Sequence, residues 1–428
     1  MQELYNLFYA SSGVCTDTRK IEKDCLFICL KGANFNGNTF AQQALKEGAR
    51  YVICDEAEYA TEENIFFVAD ALIFLQKLAN FHRKRFSIPV IGITGSNGKT
   101  STKELINAVL SEKFHVLATI GNLNNHIGVP LTLLHLTNEH EIAIIEMGAN
   151  QFKDIEELCA IAEPTHGIIT NIGKAHLEGF GGFEGVLKTK RELFESVESI
   201  GGTLIVNKDD QLLTQQINPK TNIYSYGTTN EANVLGQLIR LDPFVNLKWS
   251  DESYISGELQ TNMVGKYNFY NFLAAIAFGR LFGVEPEKID HAITHYTPQN
   301  NRSQIVKSNR NTLILDCYNA NPTSMRSALE SFSMIEHPNK LFIIGDMLEL
   351  GEQANTEHAA ILDYIEENKL TGFTVGPLFQ SQKTSSALRQ FSTREEASAY
   401  FASNQIDNAL ILLKGSRGIG LESLEAVL

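Results

Sequence analysis

Apolar residues come in short runs along this chain, and the rhythm of polar residues between them changes twice. Over residues 1–86 three runs, at 25–30, 51–54 and 65–68, are separated by polar turns, and a helix-like stretch at 71–84 closes the region. Runs of this length bounded by turn residues read as strands. The basic triplet Arg83, Lys84 and Arg85 and the following Ser87, Ile88 and Pro89 read as a solvated helix end running into a linker. From 87 to 298 the apolar runs at 89–93, 142–146, 167–171 and 203–207 alternate with helical spacing, the signature of a mostly parallel sheet. A more polar β-like insert at 222–263 precedes a helix beginning near Asn268. From 299 the alternation restarts with strands at 313–316, 341–344 and 409–413, each running up to a loop where open α/β sheets place ligand groups. The pattern predicts an α/β protein of three domains. A small N-terminal α/β domain would occupy 1–86, a central parallel-sheet domain 87–298, and a C-terminal Rossmann-like α/β domain 299–428. No internal repeat or low-complexity segment interrupts them.

Length supports that division, because 428 residues exceed what one hydrophobic core sustains. No apolar run approaches the ~20 residues that cross a bilayer, and Met1-Gln-Glu-Leu-Tyr5 lacks the basic-then-apolar pattern of a signal peptide. A cytoplasmic protein without a membrane span is expected. Six cysteines, at 15, 25, 29, 54, 159 and 317, form no CxxC pair and are expected to be free, mostly buried thiols. A formal net charge of −14 argues against nucleic acid as a bulk partner. It leaves room for a phosphorylated small molecule, which glycine loops and single lysines bind locally.

One segment points to such a ligand. The apolar run ending at Ile93 breaks into Thr94, Gly95, Ser96, Asn97 and Gly98, and a helical stretch, 101–113, follows Lys99 and Thr100. Glycines at 95 and 98 let the backbone turn several N–H groups onto an anion at a helix N-terminus. Lys99 would neutralise β- and γ-phosphates, and the Thr100 hydroxyl would reach Mg²⁺. Ile93 stands where the strict pattern wants glycine, so this is a variant loop: Thr94 to Thr100 followed by Ser101. It predicts a nucleoside triphosphate ligand, ATP, for the central domain.

Other residues have two readings each. Glu146 ends a predicted central strand, where a carboxylate can hold Mg²⁺ or simply finish the strand. His176, just beyond the next strand, is a metal ligand or a structural histidine. Lys188 and Lys190 lie on a helical pattern with nothing intrinsic to distinguish either. Asn268 and Asn271 stand three apart at a helix start, where one would be an N-cap and the other would reach a base or phosphate. Arg302 opens the last domain and is placed to reach a phosphate. Lys414, Ser416 and Arg417 sit in a glycine turn after the last strand, a second plausible anion site.

Taken together, the chain resembles the Mur ligases, ATP-dependent enzymes that extend the peptide of peptidoglycan precursors, over nearly its whole length. The strings that carry the likeness are Cys15-Thr-Asp-Thr-Arg19, the run from Leu26 to Gly32, Thr94 to Glu104, Gly121 to Pro130, Glu146 to Asn150, and Ala175 to Phe180. Asp316 to Pro322, Gly345 to Gly351 and Lys414 to Arg417 complete the set. Several match the member that adds D-alanyl-D-alanine to UDP-N-acetylmuramoyl-tripeptide. The resemblance implies that the N-terminal domain holds the UDP end of that substrate, with Asp17, Thr18, Arg19 and Lys31 contributing. It implies that Lys99 and Thr100 meet ATP, that Glu146 and His176 ligate Mg²⁺, and that Lys190 matches a lysine many members carry as a carbamate. Asn268 and Asn271 match asparagines near adenine, and Arg302 and Asp316 match residues reaching ATP from the last domain. Asn124 and Asn125 match the loop facing the growing peptide. Tyr318, Asn319, Asn321, Lys414, Ser416 and Arg417 fall in the strings expected to meet substrate. His126 departs from the aspartate common at its position.

A carboxylate does not react with an amine at neutral pH without a leaving group, so the implied chemistry is an acyl phosphate captured by the dipeptide's amine. The substrate partners are then the two small molecules, and a monomer is expected. Competing readings are a diaminopimelate- or lysine-adding member, a folylpolyglutamate synthase-like ligase, and an NTPase with no ligase activity. The Asp-Asn-Pro-Arg string expected of the diaminopimelate-adding enzyme is absent from the sequence. No motif encodes the third residue of the tripeptide.

Overall fold

The computed structural model describes residues 2–241, 243–299, 301–382 and 388–428. Asn300, within the second expected domain boundary, lies outside them. The chain folds into two compact units that do not follow chain order.

The first unit combines Met1–Gly92, Phe114–Gly148 and Asp154–His166. Its N-terminal sheet has four parallel strands in the order Val14–Cys15, Leu26–Ile28, Tyr51–Cys54 and Ile65–Phe67. Phe27, Cys29, Val52, Cys54 and Ile65 pack with Ala41 and Ala44 of a short helix into its core. The helix Ala71–Arg83 starts at Asp70, whose carboxylate accepts from the Ile73 N–H, and packs on the helices Gly128–Leu133 and Asp154–Ala162. Its basic end is solvated at Lys84 and Arg85, as expected from the sequence, but not at Arg83. Arg83 is buried; its Nε donates to the Ala162 carbonyl at 3.0 Å and its Nη1 to the Phe86 carbonyl at 2.6 Å. Five guanidinium N–H donors suit Arg83 to carbonyls that a helix end leaves unpaired.

The second unit contains Ile93–Lys113, Ala149–Lys153 and Gly167–Leu428. One run of strands follows chain order: His166–Ile169, Thr203–Asn207, Asn222–Gly227, Val234–Leu241, Phe244–Ser250 and Leu259–Val264. The pairs from Thr203–Asn207 to Val234–Leu241 are parallel, and the last two pairs antiparallel. The helix Tyr267–Leu281 is apolar all round and buried over most of its surface. A second sheet has the order Gln304–Lys307, Thr312–Asp316, Leu410–Lys414, Lys340–Gly345, Gly372–Val375 and Arg389–Phe391. All its pairs but the first are parallel. Inserting the last strand between two earlier ones brings the loops after Asp316, Gly345 and Lys414 together at one sheet edge, where such folds bind ligands. The expected strands at 142–146 and 203–207 match residue for residue, and the β-like insert resolves into four strands. Among the described residues no helix is long and apolar enough to cross a membrane.

Candidate active site

The phosphate-loop segment lies in the second unit. Thr94 ends a fully buried strand, and Gly95 and Gly98 adopt φ of 144° and 80°. A Cβ at Gly95 would lie 2.0 Å from Thr170 Oγ1, and one at Gly98 would lie 2.9 Å from Asn271 Oδ1, so both positions need glycine twice over. The helix runs Lys99–Leu110, beginning two residues before the expected start and ending three before the expected end. Lys99 and Thr100 therefore belong to its first turn, whose N–H groups have no partner inside the helix. Lys99 Nζ donates to the Gly95 carbonyl at 2.7 Å and reaches the Ser96 carbonyl at 3.4 Å. Thr100 and Ser101 are buried behind it.

A second strand end braces the loop. Asn171 accepts from the Asn97 N–H through Oδ1 at 3.0 Å and donates from Nδ2 to the Asn97 carbonyl at 2.9 Å. Thr170 Oγ1 donates to the same carbonyl at 2.6 Å, and Ser96 Oγ bridges to both N and O of Gly173. Thr170, Asn171 and Gly173 had no assigned role in the sequence reading. Their signal was position alone, at a strand end followed by a glycine. Asn97 Nδ2 is a buried donor without a hydrogen-bond partner among the described residues.

Beyond Gly173 the chain carries His176, whose φ of 51° is left-handed; for a residue other than glycine this costs about 1–2 kcal/mol. Its Nδ1 pairs with Glu349 Oε2 at 2.6 Å. Burial lowers the His176 pKa, and the positive charges of Lys99 and Lys190 lower it further against the opposing pull of Glu349. The imidazole is thus neutral near pH 7. Lys190, on the helix Phe183–Ser199, is buried with its ammonium 5.5 Å from the Phe180 ring centre.

Neither Asn268 nor Asn271 is an N-cap. The helix begins after Lys266, which offers no side-chain cap, and both asparagines are buried within it. Asn271 Nδ2 donates to Asn268 Oδ1 at 2.8 Å, Thr102 Oγ1 donates to Asn271 Oδ1 at 3.1 Å, and Asn268 Nδ2 donates to the Val264 carbonyl at 2.7 Å. A buried amide must be paired, and this pair satisfies itself while tying two helices together.

At the edge of the second sheet, Lys414 Nζ and Asp316 Oδ2 form a nearly buried pair at 2.6 Å, and the Ser303 N–H donates to Asp316 Oδ1 at 3.3 Å. Arg302 lies with its guanidinium 3.6 Å from the Tyr318 ring centre, and its Nε is a second buried donor lacking a hydrogen-bond partner among the described residues. Arg417 approaches the same ring at 5.5 Å. Asn319 accepts from the Ala320 N–H, and Ser416 Oγ accepts from the Leu348 N–H. Asn321 caps the helix Pro322–Met334 with Oδ1 and donates from Nδ2 to Asn97 Oδ1 at 2.7 Å.

The remaining expected residues lie in the first unit. Asp17 caps the turn Thr18–Lys20, and the hydrogen-bonded Arg19 guanidinium brings its carboxyl down to about 2. Lys31 Nζ lies 3.1 Å from Asp55 and 3.6 Å from Glu56. Glu146, buried at its strand end, accepts from Asn124 Nδ2 at 2.8 Å, and Asn125 Oδ1 accepts from the N–H groups of Ile127 and Gly128.

Comparison with known families fixes the setting. The Mur ligase family catalytic-domain model matches residues 11–92, the Mur ligase middle-domain model 93–279, and the Mur ligase glutamate-ligase-domain model 301–417. The chain belongs to the Mur ligase family. Among relatives of this Mur ligase, the UDP-N-acetylmuramoyl-tripeptide–D-alanyl-D-alanine ligase of Bacillus subtilis (strain 168) is 36% identical, with 96% of this chain and 92% of the relative covered. The Escherichia coli (strain K12) enzyme of the same name is 31% identical over 99% and 94% of the two chains. The crystal structure of MurF from Acinetobacter baumannii matches with a TM-score of 0.90 at 29% identity, covering 99% and 97%. A MurF ligase from Thermotoga maritima in complex with ADP shares the fold, with a TM-score of 0.88 at 24% identity and the same coverage.

Proposed function

We infer that this Mur ligase joins D-alanyl-D-alanine to UDP-N-acetylmuramoyl-tripeptide at the cost of ATP, releasing ADP and phosphate, in the synthesis of peptidoglycan precursors. The observation that carries the reading is end-to-end similarity, at 30% identity or more, to enzymes named for that reaction, on a chain whose phosphate loop is built to bind. Two buried donors, Asn97 Nδ2 and Arg302 Nε, have no hydrogen-bond partner among the described residues. An anionic triphosphate would satisfy donors of this kind.

Thr94 to Ser101 would cradle the phosphates, Lys99 would offset their charge, Asn268 and Asn271 would lie near the base, and Arg302 and Asp316 would reach the nucleotide. Asp17, Thr18, Arg19 and Lys31 would hold the uridine nucleotide, Asn124 and Asn125 the peptide, and Tyr318, Asn319, Asn321, Lys414, Ser416 and Arg417 the incoming dipeptide. The functional parts follow as 1–86, 87–298 and 299–428. The donors present suit Mg²⁺. Thr100 and Glu146 offer oxygen, His176 a neutral nitrogen, and Lys190 would offer oxygen once carbamylated. Among the described residues no three acidic, His or Cys side chains converge on one point. The ion would supply charge neutralisation at the transferred phosphoryl group.

In the reaction the tripeptide's terminal carboxylate takes the γ-phosphoryl group, and the dipeptide amine displaces phosphate from the acyl phosphate to leave the amide. Substrates of this kind, and six free thiols, favour a cytoplasmic enzyme, and we take it to be a monomer. The test is ADP release in a panel. Release that needs both the UDP-tripeptide and D-alanyl-D-alanine is expected. Release with ATP alone would indicate a plain NTPase, and release with a UDP-dipeptide and a free amino acid would indicate another member of the family.

A further inference from the structure

The loop 345–351 contributes one side chain to the central site, Glu349. Glu349 has φ of 64° and His176 φ of 51°, so two residues that disfavour the left-handed region both adopt it at the point where they meet, Nδ1 to Oε2 at 2.6 Å. Such conformations persist only where the surroundings impose them. The surroundings here are specific. The Met347 N–H donates to His358 Nε2 and the Leu348 N–H to Ser416 Oγ, each at 3.0 Å, so the loop is held at the two residues immediately before Glu349. On the other side, the Lys174 N–H donates to Thr323 Oγ1 at 3.1 Å, and Lys174 Nζ pairs with Glu357 at 2.5 Å, which holds the chain two residues before His176.

We propose that Glu349 is a positioning residue for His176. The argument rests on the ligase reading above. An ionised carboxylate only accepts hydrogen bonds, so the His176 proton sits on Nδ1 and the lone pair of Nε2 faces the other way. A carboxylate behind a ligating histidine fixes both ring orientation and tautomer. The pair therefore makes His176 a ready nitrogen donor for the ion that accompanies the triphosphate, and that donor is set from residues more than 170 positions downstream. Glu349 is itself largely exposed, with 61% of its side chain accessible, so its replacement is expected to leave the fold intact, which circular dichroism checks.

The experiment compares wild type, Glu349→Gln and Glu349→Ala by calorimetric titration of a non-hydrolysable ATP analogue at several Mg²⁺ concentrations, alongside steady-state kinetics. Glu349→Ala is expected to weaken Mg²⁺-dependent analogue binding by about 10- to 100-fold, with the KM for D-alanyl-D-alanine unchanged. Glu349→Gln keeps an acceptor for Nδ1–H and should stay within a few-fold of wild type. If Glu349→Ala binds the analogue as wild type does, or if Glu349→Gln is as impaired as Glu349→Ala, the positioning role is wrong while the ligase reading stands. A wild-type chain that ignores the nucleotide would sink both.

Discussion

Single side chains decide most of the chemistry, and they differ in how openly the sequence announces them. Lys99 was legible from its glycine loop, and the structure places it in the first helical turn with its ammonium folded back on the loop carbonyls. Lys99→Ala should keep its circular dichroism spectrum and lose at least about 10²-fold in turnover, the usual scale for removing one charge-stabilising donor; near-normal turnover would refute the phosphate-loop role. Lys190 was invisible without the family, since a lysine on a helical pattern is normally solvated, yet here it is buried. Capture of CO₂ by its neutral amine, with loss of a proton, would turn a cation into an oxygen donor. Lys190→Ala should then lose most activity and regain part of it with added short carboxylic acids. Full activity of this variant at low bicarbonate would rule the carbamate out. Glu349 sits in the string Gly345 to Gly351 that carries the family likeness, yet nothing in the sequence gave it a role of its own, because its partner lies in another part of the chain.

At the scale of elements, periodicity located strands and helices well but not what their polar residues do. One of Asn268 and Asn271 reads as a cap because capping is the usual reason for asparagine at a helix start. Burial on every side of the helix Tyr267–Leu281 overrides that, and the amides pair with each other and with Thr102. Asn271→Leu would strand the Thr102 hydroxyl and the Asn268 carbonyl oxygen, at about 1–3 kcal/mol; urea unfolding should show an earlier midpoint, and an unchanged one would mean the pair is idle. The strand His166–Ile169 opens on a histidine whose pKa burial pulls down to about 4. The unfolded chain takes up that proton near pH 6.5 and the folded one does not, so stability should fall as pH drops from about 6.5 to about 4. Discounted for partial exposure, the loss is on the order of 1–3 kcal/mol. A His166→Gln chain should show a flatter pH profile of unfolding over that window, and an identical profile would place the titration elsewhere.

Over the whole molecule, composition was a sound guide to the cysteines. All six are free and every one but Cys15 is buried. Burial pushes the Cys29 and Cys317 thiols up to about 12, so both stay protonated and unreactive at neutral pH. Brief alkylation of the native protein followed by mass spectrometry should label at most Cys15, and all six in urea; rapid native labelling of Cys29 or Cys317 would show that their cover opens. What composition and periodicity could not reveal is that the compact units ignore chain order, because that depends on contacts between distant segments. The helix Ala71–Arg83 finds its partners far downstream: His82 reaches the Leu136 carbonyl, Asn80 the Ala160 and Ile161 carbonyls, and Arg83 that of Ala162. During translation, then, the helix is complete before the ribosome has added the carbonyls at 136 and 160–162 that its polar residues meet. Throughout that interval Asn80, His82 and Arg83 lack the downstream carbonyls that hold them in the folded chain. A gene fragment cut at Gly92, however neatly it follows a family boundary, would freeze the polypeptide in that vulnerable state.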